Sequence, residues 1–364
     1  MEVTANHTQT VAGWAAMNES GKVEPFIFKR RYKLHLPLWE NGVDDVTIKV
    51  QYCGMCHTDI HFMKNHWDIT MYPIVPGHEI TGVVTKVGSN VSGFDVGDRV
   101  GVGCIVEACL DCDHCQSSQE NYCDKLVLTY NGILSDGSIT YGGYSEMVVV
   151  HKKFVARIPD TLPLDAAAPL LCAGITVYSP MKQHGMVNSG GSLGVAGLGG
   201  LGHIAVKFGK AFGLRVTVIS TSPAKEKEAR EGLKADDFIV STDLKQMQAK
   251  MRSLDYIIDT IPVKHSLGPL LELLKVNGVL AVVAAPDQPI ELPSFPLIFG
   301  KRTISGSITG SMKETQEMLD LCGKHNITCD IELVNTDGIN EALARLARND
   351  VRYRFVINIA GDSN

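Results

Sequence analysis

The chain of 364 residues has no run of about 18 apolar residues with which a helix could cross a bilayer. Met1 to Ala12 also lacks the charged start and apolar stretch of an export signal. Basic residues are not in excess: 34 Lys and Arg stand against 40 Asp and Glu, a net charge of −6. That balance excludes a strongly basic polyanion binder. Neither an internal repeat nor a low-complexity tract interrupts the text. These absences predict a cytoplasmic protein that binds neither membrane nor nucleic acid.

Apolar material is plentiful, at 45% hydrophobic against 20% charged residues, so disorder is excluded and real cores are expected. The length suggests about two domains. Ten cysteines could be a disulfide count, but a chain of this size needs no staples to fold. Their clustering points to metal, with a reducing compartment keeping the thiols free.

From about Lys22 to Val155 the chain alternates short apolar runs with Gly, Pro and Asp, as in Asp45–Tyr52, Ile80–Val87 and Tyr144–Val150. Many short strands with turns between them predict a β-rich first domain. The basic run Lys29–Lys33 reads as a solvated strand end. After Pro163 the pattern changes to strand, glycine turn, amphipathic helix and strand, repeated through Arg215–Ile219, Asp255–Asp259 and Val279–Ala285. Such alternation predicts an α/β domain with a parallel sheet. Beyond Gly310 a helix over Met312–His325, a short strand, a helix over Ile339–Asn349 and a strand over Arg354–Ile359 could cover either domain.

Cys109, Cys112, Cys115 and Cys123 are spaced C-x2-C-x2-C-x7-C, which suits a closed tetrahedral zinc site; an iron–sulfur cluster is the competing reading. The neighbours Glu107, Asp111, Asp113 and Glu120 would repel phosphate, against a nucleic-acid zinc module. A second set is more scattered: Cys53, Cys56, His57, Thr58, Asp59 and His61 in YCGMCHTDIH, His78 and Glu79 in PGHE, and Cys172 in LLCAGITVY. Two thiolates and one imidazole would make a catalytic zinc site with an open position. Spacing alone leaves Cys53 and Cys56 as rival ligands.

Ser192–Gly202 reads as an apolar strand running into Gly197-Leu198-Gly199-Gly200-Leu201-Gly202, a G-x-G-x-x-G turn before the helical His203–Phe212. In that context the motif predicts dinucleotide binding. About twenty residues on, Ser220, Thr221 and Ser222 stand where an acid would select NAD, and Lys225 and Lys227 follow. Hydroxyls and an ammonium suit the extra phosphate of NADP(H).

With YCGMCHTDIH, PGHE, ENYC, YGGYSEMVV, LLCAGITVYSPM, GVAGLGGLGH, VTVISTS and YRFVI in this order, the chain resembles the zinc-dependent medium-chain alcohol dehydrogenases, nearly end to end and within the plant cinnamyl alcohol dehydrogenase-like branch. The resemblance implies a GroES-like β-rich catalytic domain over residues 1–165 and 310–364. Residues 166–309 would be a Rossmann domain with a doubly wound parallel sheet, and the active cleft would lie between the two. It selects Cys56, His78 and Cys172 as ligands of a catalytic zinc, with Glu79 adjacent and Asp59 accepting from the His78 ring. A second, structural zinc would sit on the four-cysteine lobe. The resemblance places His57 near the cofactor pyrophosphate and Thr176 near the nicotinamide. Thr58 and His61 would relay the proton. A homodimer is implied, joined near Phe295–Ser307.

By the same resemblance Cys104, Leu128 and Ile308 line the substrate pocket. Leu128 and Ile308 replace aromatic residues of lignin-type enzymes, which shifts the expected substrate from phenylpropenyl aldehydes to bulkier terpenoid or indole-alkaloid aldehydes. The alternatives are an NADPH-dependent reductase of an alkaloid iminium or conjugated C=C bond, a cinnamyl alcohol dehydrogenase of phenylpropanoid aldehydes, and a non-catalytic dinucleotide-binding scaffold.

Overall fold

The structure is a computed structural model that describes residues 10–30, 42–188, 190–286 and 288–361. Most of the opening Met1–Ala12 and Arg31–Lys33 of the basic run lie outside the described residues. Contacts divide the chain into two units, Met1–Cys172 with Ser311–Asn364, and Ala173–Gly310. Among the described residues no single helix is long and apolar enough to cross a membrane.

In the first unit a sheet runs in the order Ile331–Asn335, Arg354–Asn358, Asp45–Gly54, Ile80–Val87, Arg99–Val102, Ala156–Arg157, and Met147–His151 also pairs with Asp45–Gly54. The tail that sequence pattern left open therefore belongs to this unit. Its strand Arg354–Asn358 lies antiparallel to Asp45–Gly54, with Val356 opposite Gly54. Val46, Ile48, Ile80, Val100, Phe355 and Ile357 are fully buried, which is why these short apolar runs pair rather than stay in solvent.

The strand expected over Tyr144–Val150 begins only at Met147. Gly142, Gly143 and Tyr144 instead donate their N–H groups to the carbonyls of Val75, Gly77 and Pro76. They clasp the PGHE turn instead of extending the ladder. Arg30 likewise departs from the solvated end expected of its run, donating to the Gly142 carbonyl and the Ser145 hydroxyl, each at 2.7 Å.

The second unit holds a parallel sheet in the order Asp237–Val240, Arg215–Ser220, Ser192–Ala196, Leu254–Asp259, Leu274–Val282, Thr303–Gly306. In chain order that is 3-2-1-4-5-6, the doubly wound dinucleotide arrangement. Leu193, Val195, Val218, Ile257 and Leu280 are completely buried, as expected of strands covered on both faces. The expected strand over Val279–Ala285 starts earlier, at Leu274, because Leu274 already pairs with Leu254 before a register shift.

Candidate active site and metal centres

The helix His57–Met63 starts where it does because Asp59 caps it: its Oδ2 accepts the Cys56 N–H at 2.8 Å. The same buried carboxylate reaches two other segments. Its Oδ1 accepts the Gly77 N–H at 3.1 Å and faces His78 Nδ1 at 3.4 Å. One side chain thus fixes Cys56, the PGHE turn and the orientation of the His78 ring, leaving Nε2 to point the other way. Gly77 has φ +102°, and a Cβ there would strike Tyr144 and the Cys53 sulfur at 2.6 and 2.7 Å, so this turn requires glycine.

Cys172 arrives from the end of the helical turn Ala168–Leu171 and places its sulfur 3.2 Å from His78 Nε2. One donor atom each from Cys56, His78, Glu79 and Cys172 lies within 4.8 Å of the other three, and all four residues are buried. Cys53 is not among them; its sulfur faces the Gly54 carbonyl at 3.6 Å. The Cys172 thiol, donating to Cys56, holds Cys56 well below the ordinary thiol range. Cys104 also stands within hydrogen-bond reach of Cys172 and is lowered by it. These shared protons occupy positions a soft divalent cation would take, and two sulfurs with one imidazole fit zinc.

Glu79 lies beside these donors with a buried guanidinium as its partner. Neither of its buried carboxylate oxygens receives a directed hydrogen bond, and burial pushes the carboxyl up to about 8. Gly54 makes room for it, since a Cβ there would lie 2.0 Å from Glu79 Oε2. Arg354 Nη2 stands 3.1 Å from Oε1, both residues buried. Sequence reading passed over Arg354; its signal was a single guanidinium inside the apolar run YRFVI.

Thr58 and His61 lie on the same short helix, Thr58 Oγ1 3.5 Å from the Cys56 sulfur. His61 Nδ1 is 3.0 Å from His66 Nδ1, and its ring stacks on Trp67 with centroids 5.0 Å apart. Phe62 and Tyr130 continue the aromatic contacts to the His78 ring. Trp67 was not singled out from sequence, because nothing in its spacing ties it to His61. His57 is half-buried, and desolvation lowers its imidazole. Leu128 pairs with Ile105, and the Thr129 N–H donates to the Cys104 carbonyl at 3.0 Å, so Cys104 lies just before the strand Ile105–Glu107 that pairs with Leu128.

In the lobe, Cys109, Cys112, Cys115 and Cys123 also place their sulfurs within 4.8 Å of one another. Cys109 lies 3.9 Å from Cys115 and 3.5 Å from Cys123. A zinc tetrahedron with bonds near 2.3 Å has edges of about 3.8 Å. Cys112 and Lys125 donate backbone N–H groups to the sulfurs of Cys109 and Cys123, each at 3.3 Å. Backbone donors bring Cys109 down to about 6, while burial pushes Cys115 up to about 12. Glu120 accepts the Met312 N–H at 2.5 Å, joining the lobe to the start of the helix Met312–His325.

In the second unit the three motif glycines have three different reasons. Gly197 turns the chain at φ +90°, and a Cβ on Gly202 would lie 2.1 Å from the Gly197 carbonyl oxygen. A Cβ on Gly199 would meet nothing within 4 Å, so no protein atom demands that glycine and the space suits a pyrophosphate. The helix begins at Gly200, earlier than expected, with Gly199 as its cap and Gly200 and Leu201 half-buried in its first turn. Lys225 Nζ reaches back to the Leu198 carbonyl at 2.7 Å. Ser220 closes the neighbouring strand, and its hydroxyl accepts the Ser222 N–H at 3.2 Å, while Thr221 is exposed. Thr176 is buried on the helix Ala173–Gln183, and Ile308 is half-exposed beyond Thr303–Gly306.

Known proteins are similar to this chain in sequence and fold. The family profile of the alcohol dehydrogenase GroES-like domain matches residues 42–160, and that of the zinc-binding dehydrogenases matches residues 200–324. A protein of Oryza sativa subsp. japonica named probable cinnamyl alcohol dehydrogenase 6 is 78% identical over 100% of this chain and 99% of its own length. A probable mannitol dehydrogenase of Medicago sativa is 61% identical over 96% of this chain and 94% of its own. Among solved structures, a cinnamyl alcohol dehydrogenase from Sorghum bicolor superposes with a TM-score of 0.93 at 52% identity, over 97% of this chain and 98% of that one. The CAD from Helicobacter pylori complexed with NADP(H) gives 0.89 at 37% identity, over 98% and 99%. The chain belongs to the zinc-dependent medium-chain alcohol dehydrogenases, in the plant cinnamyl alcohol dehydrogenase-like branch.

Proposed function

We propose that this protein is a zinc-dependent, NADPH-linked alcohol dehydrogenase that interconverts phenylpropenyl aldehydes and their primary alcohols. The observation that carries the reading is the buried set Cys56, His78 and Cys172 with Glu79 beside it, on the same unit as Thr58 and His61. The terpenoid or indole-alkaloid substrate expected from Leu128 and Ile308 finds no support among the relatives, whose names carry cinnamyl alcohol and mannitol. The phenylpropanoid alternative is the better backed. Trp67, stacked on His61, supplies a flat ring that neither Leu128 nor Ile308 offers.

When bound, zinc polarises a carbonyl oxygen as a Lewis acid and the nicotinamide supplies hydride. Cys56, His78 and Cys172 hold the ion, and Asp59 keeps the His78 tautomer that presents Nε2 to it. Thr58 and His61 would relay the proton, and His61 stands 3.0 Å from the exposed His66. The turn Gly197–Gly202 would hold the pyrophosphate, and Thr176 would border the nicotinamide. Ser220, Thr221, Ser222 and Lys225 receive the 2′-phosphate. The lobe's four cysteines hold a second zinc that shapes the loop.

Steady-state reduction of coniferaldehyde tests this reading. About two charge-assisted bonds to the 2′-phosphate, roughly 3 kcal/mol together, favour NADPH over NADH by about a hundredfold in kcat/KM. A ratio near one removes the assignment of Ser220–Lys225. Turnover of mannitol or an iminium substrate with none of coniferaldehyde removes the phenylpropenyl reading.

The homodimer rests on a surface. Phe295, Ile298 and Phe299 are 70%, 68% and 77% exposed, the two phenylalanine rings stacked at 5.8 Å. Their helix Ser294–Gly300 precedes the sheet's edge strand Thr303–Gly306. An apolar patch beside an open strand edge is an association surface. Phe299→Asp is expected to sediment as a monomer where the parent sediments as a dimer; an unaltered dimer would move the interface elsewhere.

A further inference from the structure

The nucleotide-binding unit buries a carboxylate that the chemistry above leaves unused. Asp259 ends the strand Leu254–Asp259 with no solvent exposure, and burial raises its carboxyl above the usual range. Its Oδ1 accepts the Ile261 N–H at 3.1 Å, and its Oδ2 is 2.8 Å from His265 Nε2. His265 Nδ1 is in turn 2.8 Å from the Val263 carbonyl. Nδ1 must donate to that carbonyl, so Nε2 and Oδ2 share the remaining proton and the pair has no net charge. The loop Ile261–Lys264 is thereby tied at both ends to one carboxylate, while Pro262, Val263 and Lys264 are exposed.

This loop starts against the glycine turn. The Thr260 N–H and hydroxyl both donate to the Ala196 carbonyl, at 2.9 and 2.8 Å. A Cβ on Gly197 would lie 2.8 Å from Thr260 Oγ1. Ala196 and Asp259 are register partners at the carboxyl ends of their parallel strands, the edge beyond which dinucleotides bind. At the far end Glu291 donates its N–H to the His265 carbonyl at 3.2 Å.

We propose that the Asp259–His265 pair is a latch that sets the loop Ile261–Lys264 as a wall of the dinucleotide site, which makes His265 a positioning residue for the cofactor. The inference rests on the NADP(H) reading above. With the latch open, the loop must be ordered anew each time the dinucleotide binds, and that ordering weakens binding without touching the reacting atoms.

NADPH titration of the zinc-loaded protein, followed by fluorescence, tests the latch. His265→Leu is expected to raise the NADPH Kd about tenfold or more while kcat at saturating NADPH stays within about twofold. His265→Gln keeps a donor facing Asp259 and is expected to remain within about threefold of the parent. Should His265→Leu fail to fold, His265→Phe, which keeps a ring in place without its nitrogens, is read the same way. Parent-like affinity in the variant lacking the latch overturns the proposal, as does equal weakening by His265→Gln. No NADPH binding by the parent itself would bring down the cofactor reading, and the latch with it.

Discussion

Cys172→Ala is expected to leave one zinc ion per chain in place of two and to cut carbonyl turnover by about three orders of magnitude or more, the several kcal/mol that Lewis-acid polarisation is worth. The argument is one of donor count. Three side chains suffice for a catalytic zinc, but two do not hold it against solvent, and Glu79 is already engaged with Arg354. The lobe shares no donor with this set, so its ion stays and serves as the internal reference. Elemental analysis of the purified variant reads the stoichiometry, and single-turnover kinetics reads the chemistry. Two ions with parent-like turnover would exclude Cys172 from both.

A pair of glycine substitutions has effects nearly as large, and its members differ in kind. A methyl at Gly202 would sit 2.1 Å from the Gly197 carbonyl oxygen, so the turn must shift; overpacking of this sort costs about 1–3 kcal/mol. Gly202→Ala is expected to lower the melting temperature and raise the NADPH Kd by about a hundredfold. A methyl at Gly199 meets open space. Gly199→Ala is therefore expected to melt like the parent, yet to bind NADPH about tenfold or more weaker, because the methyl takes the room meant for the pyrophosphate. Calorimetry and ligand titration on the same samples separate the two. If Gly199→Ala binds NADPH normally, the pyrophosphate does not approach there.

Those glycines could be read from sequence because a turn between a strand and a helix is mostly local chemistry: Gly197 and Gly202, which must approach one another, lie five positions apart. The same holds for the lobe, whose four sulfurs span Cys109 to Cys123. The catalytic set was harder. Cys56, His78 and Cys172 come from three distant segments, and spacing left Cys53 as a rival that only the resemblance set aside; in the fold its sulfur faces the Gly54 carbonyl. Arg354 was illegible as a partner of Glu79, since only the pairing of Arg354–Asn358 with Asp45–Gly54 carries it there. Trp67 and the Asp259–His265 pair were missed likewise, because ring stacking and buried hydrogen bonds leave no periodic trace. Substrate class was argued from Leu128 and Ile308, two positions taken alone, when Trp67 had equal chemical weight.

The strand Arg354–Asn358 lies between Ile331–Asn335 and Asp45–Gly54, so the first unit's sheet has a gap until the ribosome has passed Asn358. The second unit, Ala173–Gly310, is one uninterrupted stretch and can fold while the rest is still being translated. Thiols of Cys56 and Cys172 emerge long before the guanidinium that will stand beside Glu79. Until Arg354–Asn358 is made, Glu79 stands beside those thiols with no guanidinium partner, so the charge around the set is more negative in the nascent chain than in the folded one.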